Sequence, residues 1–192
     1  MKYLAILTIL ISLFTCKDEC DDDICPDVPY FDFQIYLPGD TSEGWARAKV
    51  FDKYWQASAY VSKNYKVPEY FAIHFDTYSE EGLLREQISI GILNNRNIIF
   101  KVDKENKSDA DFLDFNILCH YTLFQDDGDV IFAGYDISKD YISSVEVTKI
   151  DTMARTISGK FNLLFDKSSQ SKDKAGIAEK VFFKNGEFKV QY

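Results

Sequence analysis

The chain has 192 residues, of which 46% are hydrophobic, 16% aromatic and 28% charged, a mixture that excludes a disordered polymer and suits one ordinary domain. A formal net charge of -9 excludes a protein that tracks nucleic-acid phosphates with a basic face. Two histidines and four cysteines leave few ways to assemble a metal centre or a catalytic cluster, so no metal, no cofactor and no enzymatic activity are expected.

Lys2 supplies a short positive start, and Leu4 to Thr15 is an uncharged run of twelve residues. A helix of that length covers about 18 Å, well short of the ~30 Å hydrocarbon core. Residues 1–15 therefore read as a signal peptide and not as a transmembrane span. The run ends in Leu13-Phe14-Thr15-Cys16, which resembles the lipobox of bacterial lipoproteins, with Thr15 in place of the usual small residue and a bulky Phe14. The resemblance implies that Cys16 is thioether-linked to diacylglycerol and becomes the first residue of the mature chain. Acyl chains contribute ~0.8 kcal/mol per buried methylene, so two or more make attachment effectively permanent.

Residues 16–28 read as an acidic tether. Six acids and one lysine between positions 17 and 27 net -5, half of the -10 left once Lys2 is removed. A self-repelling solvated spacer explains that composition. Lys17-Asp18-Glu19 also resembles the short acidic export signal of Bacteroidota surface lipoproteins. The expected location is the cell envelope, as an outer-membrane lipoprotein facing either the periplasm or the exterior. Cys20, Cys25 and Cys119 remain for disulfides in an oxidising compartment, with Cys20–Cys25 and Cys25–Cys119 both open. The spacing of Cys16, Cys20 and Cys25 matches no zinc knuckle.

From residue 29 to 192 the dominant period is two, which predicts antiparallel strands with one face buried. Phe31, Phe33, Ile35 and Leu37 alternate with polar or amphipathic neighbours up to Pro38-Gly39-Asp40. Residues 46–54 are ambiguous. Trp55 to Val61, Phe71 to Phe75, Gln87 to Ile92, Ile98 to Val102 and Phe115 to Leu123 follow as strands. Asp126-Asp127-Gly128-Asp129 predicts a tight hairpin leading to a strand over 130–135. Residues 145–150 and 156–165 form a further pair around Asp151–Arg155. Lys184-Asn185-Gly186-Glu187 predicts a closing hairpin, since Asn-Gly suits a turn with positive φ. Residues 172–180 have room for one or two helical turns. About ten strands with polar turns predict a single all-β domain, an antiparallel sandwich with a barrel as the alternative.

Several segments carry a further resemblance: "DDGDV" at 126–130, "VEVTKID" at 145–151, "ISGKFNLLF" at 157–165, "NGEFKVQY" at 185–192 and "LLREQISIGI" at 83–92. Together with Trp55-Gln56-Ala57-Ser58-Ala59 they resemble a family of Bacteroidota-type lipoproteins whose members end in a Gly-x-Phe strand and an Asn-Gly hairpin. The resemblance implies architecture only, because the family has no established activity.

For a binding face the candidates are Tyr30, Gln34, Tyr36, Tyr70, His74, Asp76 and Tyr78, all on the less apolar side of their strands. If strands 30–37 and 68–78 are neighbours, these side chains form an aromatic and polar platform for a glycan, a peptide or a partner protein. Ordinary amphipathic surface is the alternative. His74 and Asp76, two residues apart, share a face as a candidate imidazole–carboxylate pair. Cys119 alternates with the core set and reads as a small hydrophobe. Asp126, Asp127 and Asp129 are explained by turn chemistry, without calcium. An alternative function, a carboxylate-dependent hydrolase, would draw on Asp76, Glu80 or Glu86; the other alternative is a structural envelope component. Membrane contact is expected only through lipidated Cys16, and no nucleic-acid partner is expected.

Overall fold

The structure is a computed structural model that describes residues 36–63, 70–93, 99–101, 117–171 and 176–192. The expected signal peptide over 1–15, Cys16, the expected tether over 16–28, Tyr30, Gln34 and the polar stretch 103–111 lie outside the described residues, as do Cys20 and Cys25. The described residues form eleven strands and one 3₁₀ turn. The strands are β1 (Leu37–Pro38), β2 (Gly44–Val50), β3 (Lys53–Lys63), β4 (Tyr70–Tyr78), β5 (Leu84–Leu93), β6 (Ile99–Lys101), β7 (Ile117–Phe124), β8 (Ile131–Ile137), β9 (Ser144–Asp151), β10 (Thr156–Lys167) and β11 (Lys180–Gln191). The domain is all-β and every strand pairing is antiparallel. Among the described residues no helix is long and apolar enough to cross a membrane.

Ladder pairings run β11-β2-β3-β4-β5-β7-β8-β10, and β10 pairs β11 again, so eight strands close into a circuit. That arrangement is an up-and-down ring, with β9 and β6 as a flap beside it. β10 serves two partners along one edge: residues 156–162 pair β9, and Phe165–Lys167 pair β8 through only three residue pairs. Where the chain leaves β8, Ser138 N donates to Leu164 O at 2.8 Å and Leu164 N donates to Ser143 Oγ at 3.0 Å. These two bonds bridge the gap in the ladder.

Alternation decides what faces inward. Ile73, Phe75, Ile88, Ile90, Tyr121, Phe161, Phe165, Phe183 and Phe188 form one buried cluster with Trp55. Aromatic rings interlock across the ring interior, with Trp55 on Phe183 at 5.0 Å and Phe75 on Phe161 at 5.2 Å. Each such side chain buries on the order of 150–250 Å² and dominates the stability. Cys119 lies buried in this cluster, as its alternation predicts, and its thiol is free.

Two turns differ from expectation, and both concern backbone handedness. Residues 51–52, inside the ambiguous stretch, join β2 to β3 with Phe51 at φ 48° and Asp52 at φ 60°. Two positive φ values give the twist a two-residue hairpin needs, supplied here without glycine. Asn185-Gly186, by contrast, is not a hairpin. β11 runs straight through it, and the pair forms a bulge at which the registers with β10 and with β2 both shift. Asn185 takes φ 51° and its N–H donates to Asn162 Oδ1 at 2.8 Å. A Cβ on Gly186 would lie 2.4–2.5 Å from the ring of buried Phe161. The left-handed residue and the missing side chain are both required, but to bend a strand held on two edges.

Gly186→Ala should therefore cost about 1–3 kcal/mol in urea unfolding, because Phe161 has nowhere to retreat. Asn185→Gly should stay within about 0.5 kcal/mol of wild type. A harmless Gly186→Ala would contradict the packed bulge.

Candidate functional site

The inward-facing set of β5 contains one polar exception, Glu86, in phase with Ile88 and Ile90. Its register partners are Thr77 on β4 and Leu123 on β7, and it is only 1% exposed. Three neighbouring strands each spend a donor on it. Trp55 Nε1 and Thr77 Oγ1 donate to Oε2 at 3.0 and 2.7 Å, and Tyr121 OH donates to Oε1 at 2.6 Å. Burial pushes the Glu86 carboxyl above the usual range, against the opposing pull of the donors from Tyr121, Thr77 and Trp55. Burial and the Glu86 charge likewise drive the Tyr121 hydroxyl far up.

Glu86 lines a cavity of about 210 Å³ at the end of the ring. This is the end where the 51–52, 79–83 and 125–130 turns meet, because alternate connections of an up-and-down ring share an end. Phe51, Leu123, Phe124 and Phe132 form part of the wall, and Ile177, Ala178 and Val181 close another side. Tyr135, also lining it, donates to Ala178 O at 2.9 Å and lies 5.1 Å from the Tyr121 ring. Arg85 reaches the rim and sends Nη1 to Gln125 O at 2.7 Å and to Asp126 Oδ1 at 2.8 Å. Tyr36 completes the lining just before β1. Burial raises its phenol, with Glu86 and Asp126 adding to the rise and Arg85 opposing it.

Of the expected platform residues, Tyr36 joins this cavity, whereas Tyr70 opens β4 opposite Leu93. His74, Asp76 and Tyr78 do share the outer face of β4, and β1 does pair the end of β4. They are tied into a network with β3 and β5. His74 Nε2 lies 2.7 Å from Ser62 Oγ and its Nδ1 lies 2.9 Å from Ser89 Oγ, while Tyr60 stacks on the ring at 4.8 Å. Ser89 gives its hydroxyl proton to Gln87 Oε1 at 3.2 Å. It must then accept from Nδ1–H, which leaves Nε2 to accept from Ser62. Burial holds His74 below the usual imidazole range, so this neutral tautomer suits neutral pH.

Asp76 is 3% exposed and accepts from Gln87 Nε2 at 3.0 Å and Tyr78 OH at 3.3 Å. Burial raises its carboxyl despite those bonds, and burial lifts Tyr60 to about 12. The His74–Asp76 pair expected from spacing is thus bridged through Ser89 and Gln87. These polar groups mostly satisfy one another, and their hydrogen bonds tie three strands together on the outer face. Asp76 and Glu86 fall on opposite faces of the sheet, and Glu80 is exposed on a turn, so these three carboxylates do not converge on one cleft.

The acidic turn behaves as its sequence predicts. Asp127 Oδ1 accepts from the N–H groups of Asp129 and Val130, and Gly128 takes φ 76°. Among the described residues no group of three or more His, Cys, Asp or Glu is placed to hold a metal. The fold and site together define an antiparallel β-ring with an end cavity built around a buried carboxylate. No protein-family model, no curated protein and no solved structure matches the chain.

Glu86→Ala should destabilise by about 2–4 kcal/mol, since three buried donors lose their acceptor. Glu86→Gln keeps an acceptor for Trp55 and Thr77 and offers Tyr121 a donor, so it should cost far less. The raised carboxyl of the folded protein contributes stability that is full below the unfolded value of about 4.3 and is lost as pH rises through the folded value. The stability of Glu86→Gln relative to wild type should therefore improve as the pH is raised above about 4.3. Urea titrations across that range check it, and a constant gap would show that Glu86 ionises alike in both states.

Proposed function

We propose that this chain is a lipid-anchored protein of the cell envelope, held at the outer membrane through acylated Cys16, whose β-ring is a non-enzymatic binding module for a small ligand. The apolar run behind Lys2, the lipobox-like Leu13 to Cys16 and the acidic stretch after it support the anchor. The observation that carries the binding reading is the preformed end cavity. Apolar walls with a few converging polar groups, at the mouth of a strand ring, are the usual setting of a small-molecule site. An engineered apolar cavity of roughly 150 Å³ accepts benzene, so this volume suits a one-ring ligand.

Two experiments test the two parts. The full chain made in its bacterial host should take up a fatty-acid probe, and Cys16→Ala should abolish the label; labelling that persists in the variant removes the anchor. Ligand-observed NMR with a panel of one-ring fragments on the full chain should give binders that Ile177→Trp eliminates, at a stability cost of no more than about 1–3 kcal/mol. Binding indifferent to Ile177→Trp would place the site elsewhere.

A further inference from the structure

The donors around Glu86 divide its two oxygens unequally. A carboxylate offers about four lone-pair positions. Oε2 takes two donors, from Trp55 and Thr77, neither of which lines the cavity. Oε1 takes one, from Tyr121, which does line it. The acceptor position left over therefore belongs to Oε1, the oxygen bonded by the cavity-lining Tyr121.

Charge points the same way. Among the described residues no cation lies within ion-pair distance of Glu86. The neighbouring Arg85 directs its guanidinium to Asp126 at 2.8 Å. Arg85, Asp126 and Glu86 sum to one net negative charge when all three are ionised. The remaining wall includes the aromatic side chains of Tyr36, Phe51, Phe124 and Phe132, a class of residue whose ring surfaces attract cations. A cation next to a buried, uncompensated carboxylate gains from the low local polarity, which strengthens the attraction relative to water.

We propose that the end cavity recognises small hydrophobic primary amines, with the ammonium on Glu86 Oε1 and the apolar body against Phe132, Ile177 and Val181. This rests on the reading of the cavity as a ligand site and adds the class of ligand. The volume limits the body to one aromatic ring or a branched chain of about ten heavy atoms. Arg85 also lines the cavity, with Nη1 engaged by Asp126 and Gln125 O and Nε buried without a hydrogen-bond partner among the described residues, so a carboxylate probe tests whether an anion competes for this end.

Calorimetry on the full chain with three probes of one skeleton tests the class: 2-phenylethylamine, 2-phenylethanol and 3-phenylpropanoate. The amine should bind about tenfold or more tighter than the alcohol, and the carboxylate most weakly. Glu86→Gln should cost the amine about tenfold and bring it to the level of the alcohol, whose own affinity should change by no more than about twofold. The probe series on wild-type protein stands even if that variant folds poorly. Alcohol or carboxylate binding as tightly as the amine, with loss in Ile177→Trp, overturns the amine class and keeps the cavity as a site. Failure of all three probes, together with a fragment panel that finds no binder, overturns both.

Discussion

Glu86 occupies a position that strand alternation reserves for an apolar side chain, and the arrangement of β3, β4, β5 and β7 around it follows from keeping that carboxyl satisfied. Inside a ring filled by aromatic residues, an acid without partners would cost several kcal/mol. Trp55, Thr77 and Tyr121 come from three different strands to meet it. Each of those donors is fixed in place by a ladder, so the hydrogen bonds also pin the register of the strands that carry them. The same acid gives the end cavity its polarity. Packing, register and chemistry at this end of the molecule thus share one cause.

The rest of the ring is held by aromatic interdigitation and by the few positions where a side chain must be absent. Gly186 yields to Phe161, and Gly159 yields to Phe188 and the Glu146 carbonyl. Both glycines lie on the two strands that close the circuit, β10 and β11. The closure is uneven. β10 and β11 pair along nearly their whole length, whereas β8 and β10 meet through three residue pairs beside the β9 flap. Local opening is easiest where few ladder bonds must break, which makes the β8–β10 seam the softest part of the circuit. The outer network around His74 and Asp76 stiffens the opposite side, across β3, β4 and β5.

Much of this architecture was readable from period-two patterning, because a strand with one buried face leaves that signature in any sequence. β3, β4, β5 and β7 appear where Trp55, Ile73, Ile88 and Cys119 alternate with polar neighbours. Turn chemistry was less reliable. Asn-Gly reports a need for left-handed backbone, and a bulge needs it as much as a hairpin does, so residues 185–186 mislead unless the pairing on both edges is known. Phe51-Asp52 hides a tight turn in the reverse way, since Asp tolerates positive φ but Phe51 does not advertise it and no glycine follows. The outer-face cluster was partly visible, as His74, Asp76 and Tyr78 share parity. Their partners Gln87 and Ser89 depend on which strand lies alongside. The cavity was illegible, being assembled from residues as distant as Tyr36 and Val181. One signal for it was present: Glu86 keeps phase with Ile88 and Ile90, and an acid on an apolar face is either satisfied or functional.

The point at which the chain enters the ring has a mechanical meaning. Tyr36 walls the cavity and is followed at once by β1, whose ladder with β4 consists of two register pairs, Leu37 with Tyr78 and Pro38 with Thr77. β2, next along the chain, is laced to β3 on one edge and β11 on the other. Tension applied from upstream would consequently peel β1 away and carry Tyr36 out of the cavity wall long before it strained β2. Thr77, one of the three donors to Glu86, sits on β4 directly opposite Pro38 of the strand being released. A tug on the leading segment is in this way transmitted to the end cavity while the body of the molecule stays shut.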